Sequence, residues 1–367
     1  MTDKRKQIDK AYLLQKEYGQ DSLNYLSLTE EYEFFFGTTV QGYIAYLPKG
    51  RKVLSMGDPV CAGADTRALI EEYLGFCDEQ GKKPIFVALS EETIKTAQEA
   101  GLRIMKCGEE AVLNLSEYTL AGGSRAVLRR SVNKGDKSGV LMQEYKPQIH
   151  RDKGLEAEIW ELSRKWYEDK QRQINFAVGT IDFDHPYDRR FFLTRDADGK
   201  LLTFLSFLPY ENRRKLCIDL MHREMDAPTG SMEHAIISVA RKVQEEGVEE
   251  ISLSFAPLVG MDTGKEKMAI AERLLDAIFQ KMDAGYHFKK LYQFKKKFAP
   301  SEWKPRYIAY SRKISKVNLA MTVSGVMLGT VDLILYAKYK FFLMGELFKI
   351  KWEFITGGKR NDHQRSN

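Results

Sequence analysis

Apolar and polar positions follow two rhythms along this chain, and the change from one to the other marks out its elements. Residues 1–40 read as helix and loop, with Tyr12, Leu13 and Leu14, then Tyr32, Phe34, Phe35 and Phe36, available for burial. GYIAYL and KVLSMG, on either side of Pro48-Lys49-Gly50, predict a β-hairpin over 42–57. A helix over 65–80, a strand from Pro84, a helix over 91–100 and strands on both sides of Gly108 follow. The plan then recurs: a helix over 156–167 leads to the strands FFLTRD and KLLTFLSFLPY, divided by Asp196-Ala197-Asp198-Gly199, and on to KLCIDLM. After the loop HREMDAPTG comes a helix that Ser231 is placed to cap and Gly247 to end, and then the strand EEISLSFAP. Two α/β halves are predicted, at 1–145 and 146–313, followed by an apolar, lysine-studded helical segment at 314–357 and a disordered tail at 358–367.

With 367 residues, 43% of them hydrophobic, each half has the material for a core, which excludes disordered and fibrous classes. The net charge of +6 is too small to predict a polyanion partner unless the basic residues cluster. They do so twice. Between Gly122 and Gly139, Arg125, Arg129, Arg130, Lys134 and Lys137 face a single acid, Asp136; between Lys289 and Lys316, ten basic residues stand against Glu302, with Tyr292, Phe294, Phe298 and Trp303 interleaved. Each cluster reads either as a solvated surface or as a phosphate-contacting one.

Four cysteines without CxxC spacing exclude a zinc ribbon and a secreted disulfide scaffold, and a reducing compartment is the default. No cleavable signal peptide is visible. GMDTGKE at Gly260 has the wrong glycine spacing for a phosphate loop and places Glu266 where Ser or Thr should hold magnesium. Neither GxGxxG after a strand, nor GxSxG, nor HExxH occurs, so dinucleotide, serine-hydrolase and metal chemistry lack support.

The pieces GDPVCAG (57–63), GEEAVLNL (108–115), LRRSVNKGDKSG (128–139), CIDLMHRE (217–224), SLSFAPL (252–258) and YQFKKKFAPSEWKPRYIAY (292–310) occur in this order. Together they resemble the C-terminal catalytic domain of bacterial aminoacyl-phosphatidylglycerol synthases, the multiple peptide resistance factor family. The resemblance implies tandem acetyltransferase-like (GNAT-like) domains related to Fem-type peptidyltransferases. It also implies transfer of an aminoacyl group from aminoacyl-tRNA to a hydroxyl of phosphatidylglycerol, without the family's N-terminal flippase region, so that the chain either synthesises without translocating or depends on a separate flippase as a partner. Such transfer exchanges one ester for another, so no ATP or metal is required, and aminoacyl-tRNA serves as co-substrate. HREMDAPTG lacks the glycine pattern with which acetyltransferases hold the pyrophosphate of coenzyme A.

On this resemblance Asp219 is the first choice for ordering the substrate hydroxyl or the aminoacyl ammonium, its alternative being a structural carboxylate paired with an arginine. The family motif reads Asp-Leu-Met-Arg, whereas this chain has His222 and then Arg223, both kept as catalytic candidates. Arg129, Arg130, Asn133, Lys295, Lys297 and Arg306 are candidates for contacting tRNA or lipid phosphate. An acceptor other than phosphatidylglycerol, or a non-catalytic lipid- or tRNA-binding module, are the alternatives. Aromatic residues beside lysines at the C-terminus suit an interfacial helix, which places the protein on the cytoplasmic face of the plasma membrane, peripheral or C-terminally anchored; helices packed on the second half are the other reading.

Overall fold

A computed structural model describes residues 3–170, 179–257, 259 and 288–327. The first half comprises α1 (Asp3–Tyr18), β1 (Glu33–Phe36), β2 (Gly42–Lys49), β3 (Lys52–Met56), β4 (Val60–Cys61), α2 (Thr66–Glu79), β5 (Lys83–Leu89), α3 (Glu91–Glu99) and β6 (Arg103–Asn114). There follow α4 (Ala126–Lys137), β7 (Leu141–Tyr145), α5 (Lys153–Lys170), β8 (Arg190–Arg195), β9 (Leu201–Tyr210), β10 (Lys215–Arg223), α6 (Ser231–Glu245) and β11 (Glu250–Pro257). The last described elements are α7 (Phe288–Lys296), β12 (Glu302–Tyr310) and α8 (Lys316–Met327).

The described strands form one mixed sheet in the order β1-β2-β3-β5-β12-β6-β11-β10-β9-β8-β7, with β4 beside β2. Read from its centre outward the order is symmetric. The antiparallel pair β12/β6 is flanked by β5 and β11, and each of these runs parallel to a further strand, β3 or β10. β6, from the first half of the chain, lies against β11, and β12, from the second, lies against β5. The halves have therefore exchanged strands, and the two expected α/β halves are built as one continuous sheet.

Helices cover both faces because strand side chains alternate. On one face, α1 (Ile8, Ala11, Leu14) and α8 (Leu319, Ala320, Val323, Val326) pack on Leu54, Met56, Leu208 and Cys217, a core spanning both halves. α5 covers Phe191, Phe204 and Leu220 beside it. On the other face α2 and α3 cover Val53 and Phe86, while α4 and α6 cover Phe192, Phe207 and Ile251. α4 and β7 precede residue 146 yet lie with the second half, against α6 and β8. α8 opens the expected C-terminal segment and is buried in the first core; residues 328–367 lie outside the described ones.

Three local expectations differ. The hairpin turn is the two-residue Gly50-Arg51, with Pro48 already paired to Val53, because Gly50 adopts the positive φ (60°) that a tight turn needs. β6 passes unbroken through Gly108, where a Cβ would meet the Ala256 carbonyl at 2.4 Å; this glycine allows close approach and does not end the strand. α6 is preceded by Gly230 at φ 94°, and the Ser231 hydroxyl donates back to Pro228 O instead of capping.

Candidate functional site

Each parallel pair opens at its C-terminal end, in the first half because β3 stops at Met56 opposite Val87 while β5 runs on beside β12. β10 and β11 pair only over Lys215–Cys217 and Glu250–Ser252; beyond that β10 stays with β9 and β11 with β6. At each fork one strand bulges through a positive φ, Ser254 (67°) in β11 and Ala88 (62°) in β5, so backbone groups leave the ladder where the strands part.

Asp219 stands at the second fork, inside an irregularity of β10 between Ile218 and Met221. Ser206 of β9 holds this bulge: its hydroxyl accepts Leu220 N–H at 3.1 Å and donates to Asp219 Oδ2 at 3.1 Å. Gly179 N–H donates to Oδ1 at 2.7 Å. A Cβ on residue 179 would lie 1.9 Å from Oδ2, so only glycine admits the carboxylate there. Burial raises the Asp219 pKa above the usual range, against the opposing pull of Arg189 and the two donors. The result is an oriented carboxylate of increased proton affinity, which suits it to ordering a hydroxyl and taking its proton. Asp58 has the matching place in the first fork. Ser90 donates to it through N–H (2.9 Å) and Oγ (2.5 Å), and burial together with the Asp21 charge raises its pKa.

A buried ionic cluster joins the forks. Arg306 of β12 donates through Nε to Glu110 Oε2 at 2.9 Å, through Nη2 to Asp21 Oδ1 at 2.8 Å and through Nη1 to Ala88 O at 3.2 Å. Ser22 and Ser252 donate to Glu110 Oε1, and Asp58 N–H donates to Asp21 Oδ2 at 2.8 Å. Burial works against each charge, but mutual attraction outweighs it: the Glu110 pKa is lowered and that of Arg306 raised. Lys295 is 2% exposed, beside this cluster, and donates to the bulge carbonyls Ser254 O (2.8 Å) and Phe255 O (2.7 Å). Burial lowers its pKa to about 7.

The sequence candidates thus fall in three places. Asp219, Lys295 and Arg306 lie at the forks and between them, but Lys295 and Arg306 are buried with their donors committed to protein oxygens and present no charge to a surface phosphate. Arg129 donates to Leu120 O and Gly122 O and so braces the loop before α4. Arg130 and Asn133 are exposed on α4, and Lys297 is exposed and paired with Glu233 at 2.9 Å. β10 continues through both His222 and Arg223, so their side chains leave opposite faces. His222 is buried, with Nδ1 2.8 Å from Ser163 Oγ and its ring among Trp166, Tyr167 and Phe204. Arg223 is half-exposed and donates to Glu224 O. Gly179, Ser206, Glu110, Asp21 and Arg189 were not singled out by the sequence; the Asp-Arg-Arg run at 188–190 was the one visible signal for Arg189.

Burial lowers the His222 pKa to about 4, below its unfolded value near 6.5. The unfolded chain therefore binds the extra proton, and the stability this residue contributes is present above pH ~6.5 and lost as the pH falls toward ~4. The full effect is on the order of 3 kcal/mol. Urea midpoints at neutral and acid pH are expected to fall more steeply for the wild type than for His222→Asn. Equal slopes would contradict this assignment.

The family described as phosphatidylglycerol lysyltransferase, C-terminal, matches residues 12–310. A phosphatidylglycerol lysyltransferase of Staphylococcus epidermidis is 26% identical over 303 residues, 82% of this chain and 35% of that protein's length. The chain thus spans about a third of the relative it matches. The structure of L-PGS from Bacillus licheniformis superposes with a TM-score of 0.78 at 24% identity, covering 88% of this chain and 97% of the other. The C-terminal domain of a putative lysylphosphatidylglycerol synthetase from Agrobacterium fabrum gives a TM-score of 0.75 at 25% identity, covering 90% and 99%. With its forked tandem sheet, its ordered motifs and a match over most of its length, the chain belongs to the phosphatidylglycerol lysyltransferase C-terminal family.

Proposed function

We propose that this chain transfers an aminoacyl group from aminoacyl-tRNA to a glycerol hydroxyl of phosphatidylglycerol. The observation that carries the reading is Asp219: a carboxylate of raised proton affinity, fixed by Gly179 and Ser206 at the point where two strands part. In this reading Asp219 orders the lipid hydroxyl and accepts its proton as the hydroxyl oxygen attacks the ester carbonyl carbon. The bond to the tRNA ribose oxygen then breaks, and that oxygen takes up the proton. One ester replaces another, so no high-energy cofactor enters.

Two further features support the donor. Arg130, Lys134 and Lys137 are exposed on α4 and form no ion pair among the described residues, which suits a polyanion. The first turn of α6, where an acetyltransferase would hold a pyrophosphate, is packed against α4: Gly230 abuts Ser131, and His234 meets Gly135 and Asp136. No helix among the described residues is long and apolar enough to cross a membrane. We place the protein peripherally on the cytoplasmic surface, where charged tRNA and lipid meet. Incubation with charged tRNA and phosphatidylglycerol vesicles is expected to yield aminoacylated phosphatidylglycerol by mass spectrometry. Product on another hydroxyl, or none with any charged tRNA, would overturn the reading.

A further inference from the structure

Arg189 is 3% exposed, and its Nε is buried without a hydrogen-bond partner. Among the described residues its guanidinium donates no hydrogen bond and forms no ion pair within 4 Å; it faces the Tyr25 ring, 5.4 Å from Cζ, and acts on the Asp219 carboxylate through its charge alone. The neighbouring arginines show the usual solution. Arg190 is paired with Glu144 and Glu246, and Arg213 with Asp188. A buried cation left unpaired is costly, and one aromatic face offsets only part of that cost.

Arg189 lines a cavity of about 580 Å³, a size suited to a small ligand or head group. Thr180, also on its wall, follows Gly179, whose N–H holds Asp219, so the cavity and the carboxylate share one turn of chain. Two of the four acids on the cavity wall have cationic partners, and the other two stand at its exposed rim. Asp184 is paired with Arg151, Asp182 accepts the Asp184 and His185 N–H groups and lies 3.8 Å from Arg5, and Glu30 and Glu31 are exposed at the rim.

We propose that Arg189 and this cavity bind the phosphodiester of the acceptor lipid, so that the short glycerol spacer brings its terminal hydroxyl to Asp219. The assignment rests on the acceptor reading above but concerns binding, which can be measured without turnover. The probe is glycerophosphoglycerol, the acceptor head group without acyl chains, titrated by calorimetry into the full chain. Arg189→Gln is expected to weaken binding by about tenfold or more, as loss of a charge-assisted hydrogen bond does, with Arg189→Lys intermediate and the thermal midpoint little changed. Equal binding by wild type and Arg189→Gln would overturn the proposal. So would inorganic phosphate binding as tightly as glycerophosphoglycerol with the same dependence on Arg189, which would make this a site for free phosphate. If Arg189→Gln does not fold, the arginine Nε–H resonance of Arg189 in the wild type must shift on titration, and an unmoved resonance overturns the assignment. Head-group binding with no lipid product would sink the transferase reading and leave this site standing.

Discussion

Replacing Arg306 with methionine is expected to destabilise the fold by about 3–5 kcal/mol, enough to leave a marginal domain largely unfolded. The size follows from what remains. Glu110 and Asp21 are each nearly inaccessible, and without the guanidinium two carboxylates stay buried with only hydroxyl and amide donors. Adding Glu110→Gln to Arg306→Met is expected to recover part of the loss, because it removes one of the unpaired charges. Denaturant unfolding of the two variants tests this, and a loss below about 1 kcal/mol for the single variant would show that the cluster contributes little.

Asp219→Asn is expected to lower the transfer rate by about 10²–10⁴-fold while leaving the thermal midpoint nearly unchanged. The amide keeps the shape of the carboxylate and an oxygen to accept from Gly179, but it cannot take a proton. Because the Asp219 pKa is raised, wild-type activity should climb as the pH rises through its ionisation, and the variant should lack that limb. Turnover by Asp219→Asn close to the wild-type rate would remove the residue from the chemistry.

Much of the fold was readable because helix and strand periods are local properties. α2, β5, α3, β9 and α6 lie within a residue or two of where the pattern put them. The pairing of β6 with β11 and of β12 with β5 was not readable, since no local pattern reports a partner so distant in sequence. The site divides similarly. Asp219 came from a short motif, whereas Gly179, Ser206 and Arg189 belong to other segments and converge on it only through folding. Lys295 and Arg306 were expected at the surface, in contact with tRNA or lipid phosphate, because basic residues are rarely buried. Their neighbours carried a countersignal: Lys295 sits between Phe294 and Phe298, and Arg306 in a strand ending Tyr307-Ile308-Ala309-Tyr310.

The exchanged strands also order events during synthesis. β5 emerges from the ribosome well before its neighbour β12, and β6 likewise waits for β11. Until then the nascent first half carries an open, largely apolar sheet edge, a known route to misassembly. Two independently folding modules would have avoided that delay at the expense of the central β12/β6 pair, on which Arg306 and Glu110 meet. The charge cluster that holds the forks together therefore cannot form until β12, which carries Arg306, has been made.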